Sequence, residues 1–394
     1  MASIRSIAGV VLPVLPVVAV YGFLSLANQD GFADTIAQLY EPGQSLPGTD
    51  LPVKQSYTGV KQLDHVLIAL VGFFWTVVDG NAPETSLYTF HFVGSMTALW
   101  LLLMVESERV GNRWRAVSFL AIWGLTVNTV SFGVTMPTYA LVHLLTSPTT
   151  MSSGPRAATP PSSVLFVAPS KLAVMPWSIG VGLFVPTVLA CLPVSESIPS
   201  SLKQNLVAFW QPFPVWVAIS QFVLSSISSS LFTTSNKAGP LSHLRRLYSV
   251  AAYIGQATHV SSIFLSLIAY IFPTLFAPGV AARLHPATVF LPLPFWSSTI
   301  AKGSPGEGSL HMMHWDQALG IAGMVLWALV LYRNAFAYSP KKWEGWFSVL
   351  HDSTISFVLE GPAASIIRLV AARDELLLGE LTSEGPNKGA GAKR

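Results

Sequence analysis

The fold is decided by residues 63–115, LDHVLIALVGFFWTVVDGNAPETSLYTFHFVGSMTALWLLLMVESERVGNRWR. Two apolar runs in this stretch are separated by the short polar turn DGNAP at residues 79–83. With its polar ends included, each run approaches the roughly 20 residues that a helix needs to cross a hydrocarbon core of about 30 Å. Because ionisable groups are costly at membrane depth, we expect them to face a bundle interior and to mark the functional site. Such side chains stand near the ends of both runs: Asp64, Asp79, His91 and Glu106.

The composition of the whole chain is typical of a membrane protein with little soluble mass. Of its 394 residues, 51% are hydrophobic and 10% are charged, whereas about 25% are charged in ordinary soluble domains. The mean hydropathy is +0.53. A net charge of +3 gives no support for nucleic-acid binding, and the single Cys191 rules out an internal disulfide.

Apolar runs of near-spanning length predict an all-α, polytopic transmembrane helical bundle with about eight spans over residues 1–340. Residues 341–394 mix aromatic and charged side chains, so we predict an amphipathic, interfacial C-terminal segment that ends in a disordered tail. A Glu-Gly-Pro sequence at residues 360–362 interrupts what would otherwise be a ninth span. The predicted spans are Ile7–Ala27, Leu63–Val78, Leu87–Val105, Ala116–Leu145, Leu172–Leu192, Leu206–Phe232, Leu247–Phe276 and Ala318–Phe336.

The alternation of eight spans predicts which polar residues share a side of the membrane. Asp64, Glu106 and Asp316 fall on one side, and Asp79 and His91 fall on the other. In the second and third spans the two polar ends are about 22 Å apart along the axis and about 60° apart around it. Each helix therefore presents both polar ends on roughly one face, which predicts an apolar cavity with polar ends.

Such a cavity suits acid-initiated cation chemistry on a lipid-like substrate. A carboxylic acid in apolar surroundings keeps its proton, and a second carboxyl nearby reinforces this. The acid can open an epoxide or protonate an alkene, and aromatic faces can stabilise the resulting carbocation. We predict Asp316 and Glu106 as the catalytic acid pair, and Asp79 beside His91 as the reserve pair. The predicted substrate-binding residues are Asp64, His91, Phe74, Trp75, Trp100, Asn128 and Trp315.

We predict no metal and no cofactor. The chain has neither a DDxxD nor an HExxH motif, and no Gly-rich phosphate loop follows a strand. The HMMH sequence at residues 311–314 has a helical spacing but lacks a convincing third ligand. The expected partners are a small prenylated or epoxidised terpenoid and the lipid bilayer, without nucleic acid or an obligate protein partner.

Each candidate residue also has a structural interpretation. Glu106 can pair with a nearby arginine, Asp79 can bond the backbone of its own turn, and Asp316 can cap a helix. His91 and Asn128 can join helices by hydrogen bonds, and the aromatic residues can serve packing alone. For the whole chain, the alternatives are a transporter or exporter of a hydrophobic metabolite and a structural membrane subunit.

Three strings carry a resemblance to a known family: residues 63–115, TMPTYALVHLLTSP and HWDQALGIAGMVLWAL. They resemble fungal integral-membrane terpene cyclases of ascochlorin- and ascofuranone-type meroterpenoid biosynthesis. The resemblance implies metal-free protonation of the terminal epoxide of a farnesyl chain, with paired Glu and Asp residues as the acid, in a multi-pass protein that we expect in the endoplasmic reticulum. The matching positions are Glu106 and Asp316, with Asp79 and Asp64 as further motif residues.

Overall fold

The structure is a computed structural model that describes residues 3–151, 161–231, 240–296 and 303–379. Its regular elements are helices, and the only strand-like pairing in the described part of the chain is an isolated bridge between Ser45 and Pro52. The predicted all-α class is therefore confirmed. The predicted disordered tail from Thr382 onward lies outside the described residues.

Seventeen α-helices are found within these described ranges, and a π-helical turn at Gly180–Phe184 joins two of them. The helices are α1 (Ile4–Gln29), α2 (Phe32–Gln38), α3 (Lys61–Val78), α4 (Pro83–Glu108), α5 (Leu120–Thr129), α6 (Phe132–Thr146), α7 (Pro161–Leu165), α8 (Pro169–Ile179), α9 (Val185–Ala190), α10 (Ser200–Trp210), α11 (Phe213–Leu231), α12 (Pro240–Ile271), α13 (Val280–Arg283), α14 (Pro286–Phe290), α15 (Pro305–Ala335), α16 (Trp346–Glu360) and α17 (Pro362–Leu378).

Six helical segments of the described chain are long and apolar enough to cross a membrane, and the α10–α11 pair, bent by 62°, is a seventh candidate. The sequence predicts about eight spans. The difference arises at Ala116–Leu145, which forms two helices with a break at Val130 and Ser131. The six segments are Ile4–Gln29, Lys61–Val78, Pro83–Glu108, Ser162–Ala190, Leu241–Ile271 and Pro305–Tyr338.

Helix α4 is the centre of the bundle because it is apolar around its whole circumference, as expected of a fully buried helix. Every residue from Leu99 to Glu106 is buried. Small residues let its neighbours approach closely. At Gly94, for example, an added Cβ would lie 1.9 Å from the Thr258 hydroxyl oxygen of α12.

Helices α4 and α15 run parallel, which defines two ends of the bundle. At the Asp79 end, where both helices begin, the Thr85 hydroxyl donates to the Gly306 carbonyl at 2.8 Å. At the Glu106 end, where both helices finish, the Asn334 amide donates to the Thr150 carbonyl at 2.9 Å. The start of α15 therefore lies with Asp79, not with Glu106 as the alternation of eight spans predicts.

The reason is a helical hairpin, α5–α6, that enters and leaves at the same end of the bundle. Just before α5, the Arg115 guanidinium donates to the carbonyl of Thr146, the last residue of α6, at 2.7 Å. The tip of the hairpin, at Val130 and Ser131, reaches the middle of α15 and contacts Asp316. Residues 116–145, which the sequence predicts to be one span, therefore reverse direction. This reversal changes the membrane side that is assigned to every later helix.

A second hairpin, α16–α17, also starts and finishes at the Glu106 end. Trp343, just before α16, packs on Tyr332 near the end of α15, and Arg373 near the end of α17 reaches Glu106. The predicted interfacial segment, residues 341–394, includes both helices, and the structure packs α17 against the bundle. Most of this helix is buried in the bundle, including the run from Pro362 to Ile367.

Candidate active site

An apolar cavity of about 510 Å³ lies between α2, α3, α4, α15 and the tip of the α5–α6 hairpin. Its volume falls within the range of about 300–1,000 Å³ that is usual for small-molecule sites. Most of its lining is aliphatic, aromatic or methionine side chains. The lining includes Tyr40, Phe73, Phe74, Thr89, Phe92, Met96, Val127, Asn128, Thr129, Val130, Ser131, Phe132, Trp210, Met312, Met313 and Asp316.

Asp316 is the one carboxyl among the described residues that line this cavity. It lies about eleven residues into α15, roughly 16 Å from the start of the helix. One carboxyl oxygen accepts the backbone N–H of Gly133 at 2.6 Å, and the other accepts that of Phe132 at 3.3 Å. These two bonds fix the orientation of the carboxyl group at the cavity wall.

The two N–H donors belong to the first turn of α6, whose partial positive charge favours an anion. Burial in an apolar wall has the opposite effect and favours the neutral acid. The site can therefore hold Asp316 as an acid and also stabilise the carboxylate that remains after a proton is donated. Glycine at 133 permits this contact, because an added Cβ would lie 2.9 Å from the Asp316 carbonyl oxygen.

Aromatic rings surround the space next to this carboxyl group. Phe132 meets Phe92 edge to face, with ring centroids 5.4 Å apart. On the opposite helix Phe74 packs against Trp210 at 4.8 Å and against Phe73 at 5.1 Å. The negative faces of such rings attract a cation when water is excluded, so the cavity is suited to a carbocation.

The structure places two of the predicted substrate-binding residues, Phe74 and Asn128, in the cavity wall. The predicted tryptophans lie elsewhere. Trp75 of α3 is buried outside the cavity wall, and the Lys203 ammonium lies 5.1 Å from the centre of its ring. Trp100 lines a separate cavity of about 570 Å³ between α4, α5, α8 and α11. The Trp315 indole donates to the Leu293 carbonyl at 2.7 Å.

Glu106 and Asp316 do not form a pair. Glu106 lies about ten residues beyond Met96, the last residue of α4 in the cavity wall, which is roughly 15 Å along the helix. The Glu106 carboxylate is fully buried and bonds Arg109 Nε at 2.8 Å and the Arg373 guanidinium at 2.6 Å. The predicted acid pair is therefore corrected to a single cavity acid and a separate buried ion cluster.

The ion cluster around Glu106 contains as many negative groups as positive ones. Arg109 also donates to the Asp374 carboxylate at 2.7 Å and to the Tyr248 hydroxyl at 3.1 Å. Arg373 donates to the other Asp374 oxygen at 2.9 Å. Two carboxylates thus face two guanidiniums, and together they join α4, α12 and α17 at the Glu106 end.

The remaining predicted acids stabilise local structure. Asp79 accepts the backbone N–H and the side-chain amide of Asn81, both at 2.9 Å, as a turn residue does. Asp64 accepts five hydrogen bonds of 2.7–3.1 Å from the loop before α3: from the Ser56 hydroxyl, the Tyr57 backbone, the Thr58 backbone and hydroxyl, and the Gly59 backbone.

His91 pairs with another helix and not with Asp79. Its Nε2 lies 3.0 Å from Nδ1 of His259 on α12. The Nε2 of His259 in turn lies 3.1 Å from the Val358 carbonyl near the tip of the second hairpin. The pair therefore connects α4, α12 and α16 outside the cavity wall.

Sequence reasoning misses several residues that the structure brings to the cavity wall or to the ion cluster around Glu106. Met312 and Met313 stand beside Asp316 in the cavity wall, and Tyr40 reaches it from the loop after α2. Arg373 and Asp374 are also missed, although their charges interrupt an apolar run from residue 363 to 378 and could have signalled burial. No group of three His, Cys, Asp or Glu side chains that could hold a metal ion occurs among the described residues.

Comparison with known proteins adds an independent line of evidence. A family model described as CtvD domain matches residues 7–378. Terpene cyclase penA of Penicillium crustosum is 29% identical over 359 residues, covering 91% of this chain and 93% of that protein. Terpene cyclase ascI of Acremonium egyptiacum is 29% identical over 336 residues, covering 85% and 83%. Terpene cyclase ctvD of Aspergillus terreus is 28% identical over 322 residues, covering 81% and 84%. No solved structure gives a significant match.

Proposed function

The chain belongs to the CtvD domain family, and from this premise we propose that it is a membrane-embedded terpene cyclase with Asp316 as its general acid. The observation that carries the proposal is that Asp316 is the one carboxyl group among the described residues of a mostly apolar cavity that is rich in aromatic rings. The relatives named terpene cyclases support the reaction class. The proposed location is the endoplasmic reticulum membrane.

The proposed substrate is a long apolar prenyl chain that carries a terminal epoxide. Asp316 donates its proton to the epoxide oxygen, the carbon–oxygen bond opens, and the positive charge moves to carbon. Alkene carbons of the same chain then attack the cation and close rings. The last cation loses a proton to a basic acceptor and Asp316 regains a proton, so that the acid is restored and the overall reaction is an isomerisation.

The cavity contributes to this reaction in three ways. Its apolar walls favour the neutral acid before the reaction. The first turn of α6 stabilises the carboxylate that forms when the proton leaves. The rings of Phe92, Phe132 and Trp210 shield the cation from water and attract it electrostatically.

The test is conversion of epoxyfarnesyl-arene substrates by microsomes that contain the wild-type chain, Asp316→Asn, Asp316→Ala or Asp316→Glu. Loss of a general acid usually lowers a rate by about 10²–10⁴-fold, so we expect this loss for Asn and Ala and partial activity for Glu. The control is Asp352→Asn, since the side chain of Asp352 is 73% exposed. Normal conversion by Asp316→Asn and Asp316→Ala would refute the acid assignment. A wild-type chain that moves the substrate across vesicles without converting it would favour a transporter.

A further inference from the structure

Most polar side chains of the cavity wall are already bonded to their own helices. The Thr89 hydroxyl donates to the Thr85 carbonyl at 2.7 Å, and the Thr129 hydroxyl donates to the Leu125 carbonyl at 2.8 Å. The Ser131 oxygen accepts a backbone N–H of α6 at 3.1 Å. Apart from Asp316, the buried part of the wall therefore offers few polar atoms to a ligand.

Asn128 is different because its amide has a fixed orientation. Its side-chain nitrogen donates to the backbone carbonyl of Gln211, at the bend between α10 and α11. A carbonyl can only accept, so the NH₂ group must face it and the amide oxygen must face the other way. Asn128 lines the cavity, and no described residue bonds this oxygen. The oxygen therefore has a fixed direction and remains available as an acceptor on a residue of the cavity wall.

The same helix end adds backbone carbonyls. The last residues of α5, from Val127 to Thr129, line the cavity together with Val130. The final carbonyls of a helix have no partner within it and carry the partial negative charge of the helix dipole. The hairpin break therefore presents two opposite poles to one cavity: the N–H end of α6 at Asp316 and the carbonyl end of α5 beside Asn128.

We propose that the carbonyl end of α5 and the Asn128 amide oxygen form an electronegative subsite that holds the carbocation during cyclisation. This deepens the proposed function and rests on it. The subsite makes no covalent bond; it stabilises the positive charge and so determines how many rings close before the final proton is lost.

The test compares two ligands of the same shape: a prenyl ammonium ion that mimics the cation and its uncharged hydrocarbon isostere. Both are bound to purified Asp316→Asn protein, in which the competing carboxylate is absent. We expect this protein still to prefer the ammonium ion. Adding Asn128→Leu should lower that preference about tenfold, since a hydrogen bond or dipole contact to a charged group contributes about that much. Adding Thr126→Val should leave it unchanged, because Thr126 is on the same helix but outside the cavity wall and its hydroxyl is bonded to the Ile122 carbonyl.

The uncharged isostere shows whether the cavity itself is intact. If Asn128→Leu weakens both ligands equally, Asn128 only supports the α10–α11 bend and the proposal is overturned. Asn128→Ala, which has no side-chain oxygen, repeats the test if the leucine variant does not fold. With Asp316 present, Asn128→Leu should raise the share of less cyclised products. Because ligand binding needs no turnover, failure of Asp316 as the acid would not be confused with failure of this subsite.

Discussion

Replacing Glu106 with Gln should lower the stability of the folded protein without removing the cavity acid, Asp316. Glu106 is fully buried and faces two guanidiniums, those of Arg109 and Arg373. In the wild-type cluster these positive charges are balanced by Glu106 and Asp374. The neutral amide leaves one positive charge without a partner inside the bundle.

The size of the effect follows from this loss of balance. Removing one partner of a buried ion pair costs about 3–5 kcal/mol, because the remaining charge is desolvated and unpaired. At about 2 °C per kcal/mol, the lower end for domains of 150–250 residues, the melting temperature should fall by about 6–10 °C. Glu108→Gln is the matched control on the same helix. Glu108 pairs with Lys171, whose side chain is 43% exposed, and such surface pairs contribute about 0–1 kcal/mol.

The assay is thermal unfolding of the detergent-solubilised variants, together with conversion of the epoxyfarnesyl substrate at a temperature where each is folded. A second substitution, Arg373→Met, should restore part of the stability of Glu106→Gln because it removes the unpaired charge. Folded Glu106→Gln should still convert substrate, whereas folded Asp316→Asn should not. A Glu106→Gln protein that melts normally but fails to convert substrate would show that Glu106 takes part in the chemistry, and would refute this reasoning.

Two further predictions concern packing and pH. Gly94→Ala should lower stability by about 1–3 kcal/mol, because the new Cβ would overlap Thr258, whereas Gly9→Ala, with open space around it, should melt like wild type. Burial raises the pKa of the Asp79 carboxyl above its ordinary value of 3.8. The unfolded chain therefore ionises first, and this residue lowers stability as pH rises above about 4. In a plot of the free energy of unfolding against pH, Asp79→Asn should flatten the slope above about pH 4. An unchanged slope would contradict the raised pKa of Asp79.

Local sequence was sufficient for the helical class and for most of the candidate membrane-spanning segments. Long apolar runs and a low charged fraction are properties of each segment on its own, and they do not depend on how the segments pack. Asp316, Phe74 and Asn128, which the structure places in one cavity wall, were also singled out from sequence. A lone carboxyl inside an apolar run costs free energy to bury unless other groups in the fold stabilise it. Its position in the sequence alone therefore marks it as a candidate functional residue.

The sequence could not predict which acids lie near each other in the folded protein. An apolar run of about thirty residues has the same pattern whether it crosses once or turns back, as the chain does at Val130 and Ser131. This reversal decided which end of the bundle α15 starts from. The partner of Glu106 was hidden for a similar reason, since Arg373 lies 267 residues away in a segment that reads as interfacial.

What the sequence by itself determined is that this chain folds into apolar helices with a few costly acids among them. What only the tertiary structure decided is the role of each acid. Glu106 meets two arginines, whereas Asp316 meets two backbone N–H groups and an apolar cavity. Because the protonation and reactivity of a carboxyl depend on its neighbours in space, two similar acids in one sequence acquire different chemistry.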